Sequence, residues 1–384
     1  MKNVVIAGYV RSPFTLAKKG DLAKVRPDEL AAQTVRGLLD KTGVNPEDLE
    51  DLYMGCAFPE GEQGFNVARM VEFLVELPIG MGGATVNRFC GSSMQAIHMA
   101  AGAIQMNAGE AFICAGIESM TRIPMGGYNP LPHPGLIERY PQAFASMGET
   151  AENLAKKYDI SRKRQEEFAV ASQKKAAEAQ KAGRLDDEII PIQVNGGGTK
   201  VSKDGCLRPG TTLEGLAELK LAFDDNGTVT AGTSSPLTDG ASATLVCSED
   251  YAKANGLQIL ARIKSIAGSG CAPELMGLGP VLSTKKALDR AGLEMGDIDV
   301  IELNEAFSSQ SLAVIEELGL GSPESLAKIN LDGGAIAIGH PLGATGARIT
   351  GKAAALLARE GKKYALATQC IGGGQGIATI LEAV

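Results

Sequence analysis

Apolar positions along this chain follow two periods that take turns. Val4 to Val10 is a continuous apolar run and predicts a buried strand. Pro27 to Leu39 places Leu30, Ala31, Thr34, Val35 and Leu38 at helical spacing and stops before Gly43. Leu52 to Cys56 predicts a short strand, and Ala68 to Leu77 a helix closed by Pro78. Ala84 to Val86 is extended, a helix then runs to about Asn107, and Ala111 to Ile117 is a further strand. Strands alternating with helices predict an α/β unit with a mostly parallel sheet.

The C-terminal third repeats this order. Leu260 to Ala267, Asp299 to Leu303 and Tyr364 to Thr368 read as strands. Pro280 to Ala291, Ser308 to Leu318 and Gly343 to Arg359 read as helices. Asp48 to Cys56 resembles Asp297 to Glu305, and the small-residue helix after Cys90 matches the one after His340. Two similar halves, placed back to back, follow from these pairings. In the second half a tight glycine turn returns the chain to a last strand, Ile377 to Leu381. The matching return strand of the first half is Ala243 to Ser248, so a domain-sized insertion separates it from Ile117. The insertion holds loops between Pro124 and Pro141, helical runs at Glu149–Lys157 and Arg162–Ala182, and a small polar segment, Thr230 to Pro236. We therefore expect a first half over residues 1–120 completed by 241–255, an inserted domain over 121–240, and a second half over 256–384. The charge mixture of the insertion suits a solvated helix face, and its position suits a cap over the Cys90 turn.

Length and composition narrow the class. A chain of 384 residues needs two or three structural units, and 44% apolar with 21% charged residues is ordinary for a soluble globular protein. No run reaches the length of a membrane-spanning helix, and the start reads as a strand without the parts of a signal peptide. The 7 cysteines are scattered singly, which indicates neither a zinc site nor a disulfide framework and fits a reducing cytoplasm. A net charge of −8 argues against non-specific nucleic-acid binding.

The chemistry centres on Val86 to His98, where a strand-like start passes through a small-residue turn into a helix with Cys90 at the junction. Unpaired N–H groups and the macrodipole at a helix start favour a thiolate, so a cysteine there is placed as a nucleophile. A lone cysteine is nevertheless more often a packed thiol. Three downstream segments weigh against that bland reading. They are Asn304-Glu305-Ala306-Phe307, the loop Gly333 to Gly343 containing His340, and the turn Cys370 to Gly376. Taken singly, Cys370 reads as a packed thiol and His340 as a loop histidine. The glycine loop around His340 lacks the GxxxxGK[ST] pattern of a phosphate cradle. His98 reads as structural, His133 as a residue that approaches the pocket, and the other five cysteines as small apolar fillers.

With the turn Asn87 to Ser93, these segments resemble the thiolase family along essentially the whole chain. The resemblance implies the thiolase fold, a duplicated five-layered α-β-α-β-α core plus an inserted loop domain. It implies cleavage of 3-ketoacyl-CoA by coenzyme A, with Cys90 as nucleophile, His340 as its base and Cys370 as the acid that protonates the departing acetyl-CoA enolate. One oxyanion hole is then made by His340 with a water held by Asn304, and the other by the backbone N–H groups of Cys90 and Gly372. Arg208 matches a phosphate-contacting position, Ser235 a pantetheine-contacting one, and Phe223 and Met147 pocket-lining ones. No metal or tightly bound cofactor is implied, and coenzyme A is a co-substrate. A homodimer or homotetramer is implied, with a hydratase/dehydrogenase of fatty-acid β-oxidation as a plausible partner.

One departure bears on the subtype. Biosynthetic acetoacetyl-CoA thiolases usually carry histidine where this chain has Ser146. That favours a degradative 3-ketoacyl-CoA thiolase over a biosynthetic one as the alternative. A β-ketoacyl synthase-like enzyme is disfavoured by the second cysteine, Cys370. A non-catalytic acyl-CoA-binding protein would be expected to have lost at least one of Cys90, Asn304, His340 and Cys370, and all four are present.

Overall fold

The periodicities seen in the sequence become layers. A computed structural model describes residues 2–194 and 197–384. Its strands are β1 (Val4–Arg11), β2 (Thr15–Leu16), β3 (Leu49–Gly55), β4 (Gly82–Val86), β5 (Ala111–Ser119), β6 (Ile192–Val194), β7 (Thr199–Val201), β8 (Thr238–Ser248), β9 (Ala261–Gly270), β10 (Val300–Leu303), β11 (Tyr364–Ile371) and β12 (Gln375–Glu382). The first half orders its strands β1-β8-β5-β3-β4, and the second β9-β12-β11-β10. β5, β3 and β4 run parallel, as do β10 and β11, while β8 and β12 are antiparallel to both neighbours. A parallel bridge between Ile301 and Ile329 stands where the first half has β4. The halves also meet edge to edge, through antiparallel pairing of Val5 with Arg262 and Ile6 with Ala261.

Side chains along each central strand serve two layers. On β5, Ile113, Ala115 and Ile117 join the outer core with the helix Pro27–Thr42, whereas Phe112 and Cys114 face the central layer. On β11, Leu366 faces the outer helix Gly279–Ala291, while Ala365 and Ala367 face inward. The central layer is the helix pair Ser92–Gln105 and Leu342–Glu360. Small residues let this pair touch: a Cβ on Gly346 would lie 2.3 Å from the backbone nitrogen of Met94. Ser93 Oγ also accepts the Ala347 N–H at 2.8 Å, so the two helix starts are bonded to each other. That close approach is what brings the Cys90 turn and the His340 loop together.

The insertion is fixed to the core by buried charge. Lys352 Nζ lies 2.8 Å from both Glu188 and Asp332, and Arg11 bonds Glu188 at 2.7 Å and Asp204 at 2.6 Å. Removing one partner of such a pair typically costs about 3–5 kcal/mol, because the other charge is left buried and alone. The helix Arg162–Lys181 is solvated on one side only, since Gln165, Ala169, Ser172, Gln173, Ala176 and Ala179 are buried.

The C-terminal hairpin differs from the sequence expectation. Cys370 lies on β11, paired with Gly376, and not in the turn itself. The chain reverses at Gly373 and Gly374, whose φ values of 77° and 78° suit glycine.

Candidate active site

Cys90 sits in the short 3₁₀ turn Phe89–Gly91, one step before the helix Ser92–Gln105. Phe89 holds a φ of 43°, a left-handed backbone that is costly for a residue with a bulky side chain. The surroundings hold it there. Asn87 Oδ1 accepts the Phe89 N–H at 2.9 Å, Ser92 Oγ accepts the Arg88 N–H at 2.9 Å, and Gln369 donates to the Cys90 carbonyl from the other half. This turn therefore presents its side chain in one direction.

That direction is a cavity of about 490 Å³. Cys90, His340 and Cys370 all line it, together with Met147, Arg208, Phe223 and Ser235. Cys90 comes from the first half, His340 and Cys370 from the second, and the remaining four from the insertion. Asn304 lies behind His340, with its Nδ2 at 3.3 Å from Nε2, and its own Oδ1 is buried without a protein partner. The backbone N–H groups of Gly372 and of Cys90 itself both point at the Cys90 sulfur.

Electrostatics correct one expectation. Burial pushes the Cys90 thiol up to about 11, against the pull of those two N–H groups and with help from the charge on Glu118. The helix start does not make a resting thiolate here, because desolvation outweighs it. His340 is pulled down to about 3, first by burial and then by Arg348, so its imidazole is neutral. Burial likewise pushes the Cys370 thiol well above its ordinary value, and charge on Cys90 would push it further. All three groups are thus held neutral at rest.

This state has a measurable consequence. Inactivation by iodoacetamide, followed at the Cys90 peptide, is expected to speed up about tenfold per pH unit from pH 7 to 9, with no plateau. The sign follows from the raised thiol, whose reactive anion stays scarce until pH approaches about 11. A plateau below pH 8 would instead mean a resting thiolate–imidazolium pair.

The insertion residues take distinct places. Phe223 meets Phe307 edge-on with ring centroids 5.9 Å apart. A Cβ on Gly148 would lie 2.1 Å from the Phe223 ring, so a side chain there would displace that ring. Met147 lies over the Gly372 turn. Ser235 donates its N–H to the Ala306 carbonyl at 3.0 Å, and Arg208 is exposed at the cavity, free of ion pairs among the described residues. Ser146 also lines the cavity, where its hydroxyl caps the helix Met147–Lys157 in a reciprocal box with Glu149.

His133 does not join them. It is exposed, just ahead of the helix Pro134–Arg139, and is not among the cavity's lining residues. His98 is structural, with Nε2 at 2.8 Å from Thr379 Oγ1. Cys56, Cys114, Cys206 and Cys247 are buried and unpaired, and Cys271 is half-buried.

Two polar residues support the site: Glu118, outside the sequence motifs, and Glu305, inside the Asn304–Phe307 motif but without a role assigned from sequence. Glu118 at the end of β5 accepts the N–H groups of Ala57 at 2.8 Å and Gly343 at 2.9 Å, tying the wall beside Cys90 to the start of the helix after His340. Glu305 is fully buried and accepts from Ser172, Asn330 and the Ile336 N–H, which anchors the glycine loop leading to His340. Met120, Met276, Phe307 and Leu342 complete the apolar walls.

Two thiols and an imidazole, with an amide behind the imidazole, meet at one cavity of a duplicated α/β frame, in a protein of the acyltransferase class. The chain belongs to the thiolase family: residues 4–250 match the thiolase N-terminal domain and residues 257–383 the C-terminal domain. It is 49% identical to a 3-ketoacyl-CoA thiolase of Aliivibrio fischeri and 50% identical to one of Vibrio cholerae, each over 100% of both chains. Its structure is similar to human mitochondrial 3-ketoacyl-CoA thiolase, with a TM-score of 0.91 and 37% identity, covering 100% of this chain and 99% of that one. It is almost as similar to an acetyl-CoA acetyltransferase of Bacillus anthracis, with a TM-score of 0.90, 37% identity and the same coverage. The fold alone therefore does not separate cleavage of long chains from handling of short ones.

Proposed function

We propose that this chain cleaves 3-ketoacyl-CoA with coenzyme A, giving acetyl-CoA and an acyl-CoA shortened by two carbons. The observation that carries the reading is the convergence of Cys90, His340 and Cys370, from opposite halves, on one apolar cavity. Cys90 gives its proton to His340 Nε2 and attacks the 3-keto carbon. The resulting oxyanion is held by the N–H groups of Cys90 and Gly372. The C2–C3 bond then breaks toward the acetyl-CoA enolate, whose oxygen is stabilised by protonated His340 with Asn304. Cys370 delivers its proton to C2. Incoming coenzyme A returns a proton to Cys370 and attacks the acyl-Cys90 thioester, and Cys90 regains its own proton from His340. Atoms and protons balance over the two half-reactions, and the kinetics are ping-pong.

Arg208 at the mouth supports phosphate recognition, while Ser235, Phe223 and Met147 line the path for the pantetheine arm. We take residues 121–240 as the substrate-holding insertion between the two halves. Self-association as a homodimer or homotetramer is supported by Phe65, 89% exposed, and Ile79, 77% exposed, near edge strand β4. Among the described residues no helix is long and apolar enough to cross a membrane. Unpaired cysteines support a reducing cytoplasm. A hydratase/dehydrogenase partner would supply the 3-keto group by oxidation of a 3-hydroxyacyl thioester.

The degradative subtype is favoured by the apolar side chains that line the Cys90 cavity, among them Met120, Met125, Leu237 and Leu342. Thiolysis with coenzyme A in fixed excess is expected to hold or improve from acetoacetyl-CoA to longer substrates. Each methylene kept against such a wall contributes about 0.8 kcal/mol, or roughly fourfold in KM, until the cavity is filled. Activity confined to acetoacetyl-CoA would move the assignment to the biosynthetic reaction.

A further inference from the structure

His340 works only if the correct ring nitrogen faces the cavity, and the residue that settles this is Thr345, five positions along the chain. Its Oγ1 lies 2.6 Å from His340 Nδ1. The same hydroxyl donates its single proton to the Pro341 carbonyl at 3.0 Å. With its proton on that carbonyl the oxygen is an acceptor, and an Nδ1–H is the hydrogen it accepts. The opposite edge of the ring agrees, since Asn304 presents its amide donor to Nε2 at 3.3 Å and needs a lone pair there. A third bond fixes the backbone, with the His340 N–H donating to Thr238 Oγ1 at 3.0 Å.

We propose that Thr345 is a positioning residue that locks His340 in the Nδ1–H tautomer and so keeps Nε2 unprotonated, the state that can leave its weak 3.3 Å contact with Asn304 and take the Cys90 proton. Thr345 is 1% exposed, does not line the cavity and touches no substrate position, so it acts only through the imidazole. The inference rests on the reading of His340 as the base. Its structural core, the tautomer, can be measured without activity.

The chain has 3 histidines, which makes the measurement tractable. Histidine-selective ¹⁵N NMR on the intact protein resolves protonated from bare ring nitrogens, and the signal absent from His340→Asn belongs to His340. Wild type is expected to show Nδ1 protonated and Nε2 bare. Thr345→Val removes the acceptor at equal size. It is expected to shift His340 toward the Nε2–H form and to lower kcat about 10- to 100-fold, with KM changed less than about threefold. That range is typical when the outer partner of a working imidazole is lost. Thr345→Ser keeps the hydroxyl and is expected to restore both tautomer and kcat, which a role in packing alone would not do. An Nε2–H wild type would overturn the proposal even if the valine variant failed to fold. So would a valine variant with unchanged tautomer and kcat. A wild type with Nδ1–H and no thiolysis of any substrate would overturn the functional reading while supporting the tautomer lock.

Discussion

Cys90→Ala is expected to leave a folded protein whose thiolysis rate is at least about 10⁴-fold lower, the scale on which loss of a covalent nucleophile is felt. The other thiol on the cavity, Cys370, lies on β11 and not at the helix start that carries Cys90. The loss should come without collapse, because Cys90 contributes one small atom to a packed wall and its removal costs on the order of 1 kcal/mol. A thermal melt within a few degrees of wild type would separate the chemical from the structural effect. Mass spectrometry after mixing with substrate alone adds a direct readout. Wild type should carry an acyl adduct on the Cys90 peptide, and the variant none. More than about 1% residual turnover in the variant would remove Cys90 from the mechanism.

Much of this site was legible because its chemistry imposes residue types at fixed places. A cysteine before a helix, a histidine in a glycine loop and an Asn-Glu-Ala-Phe segment stand out in the primary sequence. The duplication was legible for a different reason: Asp48 to Cys56 and Asp297 to Glu305 feed equivalent strands, β3 and β10, beneath equivalent helices. Periodicity placed the long helices well, because Gly43, Gly292 and Gly361 end them in left-handed caps.

What the sequence does not carry depends on burial and on long-range contact. The charge state of Cys90 could not be read from its position at a helix start, since the opposing desolvation comes from walls supplied by distant segments. Glu118 looked like the end of an apolar strand, and its bond to Gly343 spans 225 positions. Thr345 is close in sequence to His340, yet only the turn at Pro341 folds its hydroxyl back onto the ring. His133 failed in the opposite sense, because local wording near Pro134 suggested a pocket residue on what is an exposed loop.

Cys370→Ala should separate the two proton demands of the reaction. Breaking the C2–C3 bond leaves charge on carbon, and the product forms only when that carbon is protonated. Cys370 is fully buried and its thiol is held up, so at neutral pH it carries the proton. Its removal is expected to slow thiolysis about 10²- to 10⁴-fold, the usual contribution of a positioned general acid. Exchange of labelled coenzyme A into an acyl-CoA makes a lesser demand. There the group leaving from C1 is a thiolate whose parent thiol titrates near about 8.5, so it departs without full protonation. Exchange should therefore fall by less than about tenfold in the same variant. Equal loss of both activities would mean that Cys370 shapes the cavity or serves acyl transfer itself. Loss of neither would place the source of the C2 proton on another residue. Only the split result requires a thiol at position 370 that acts on carbon.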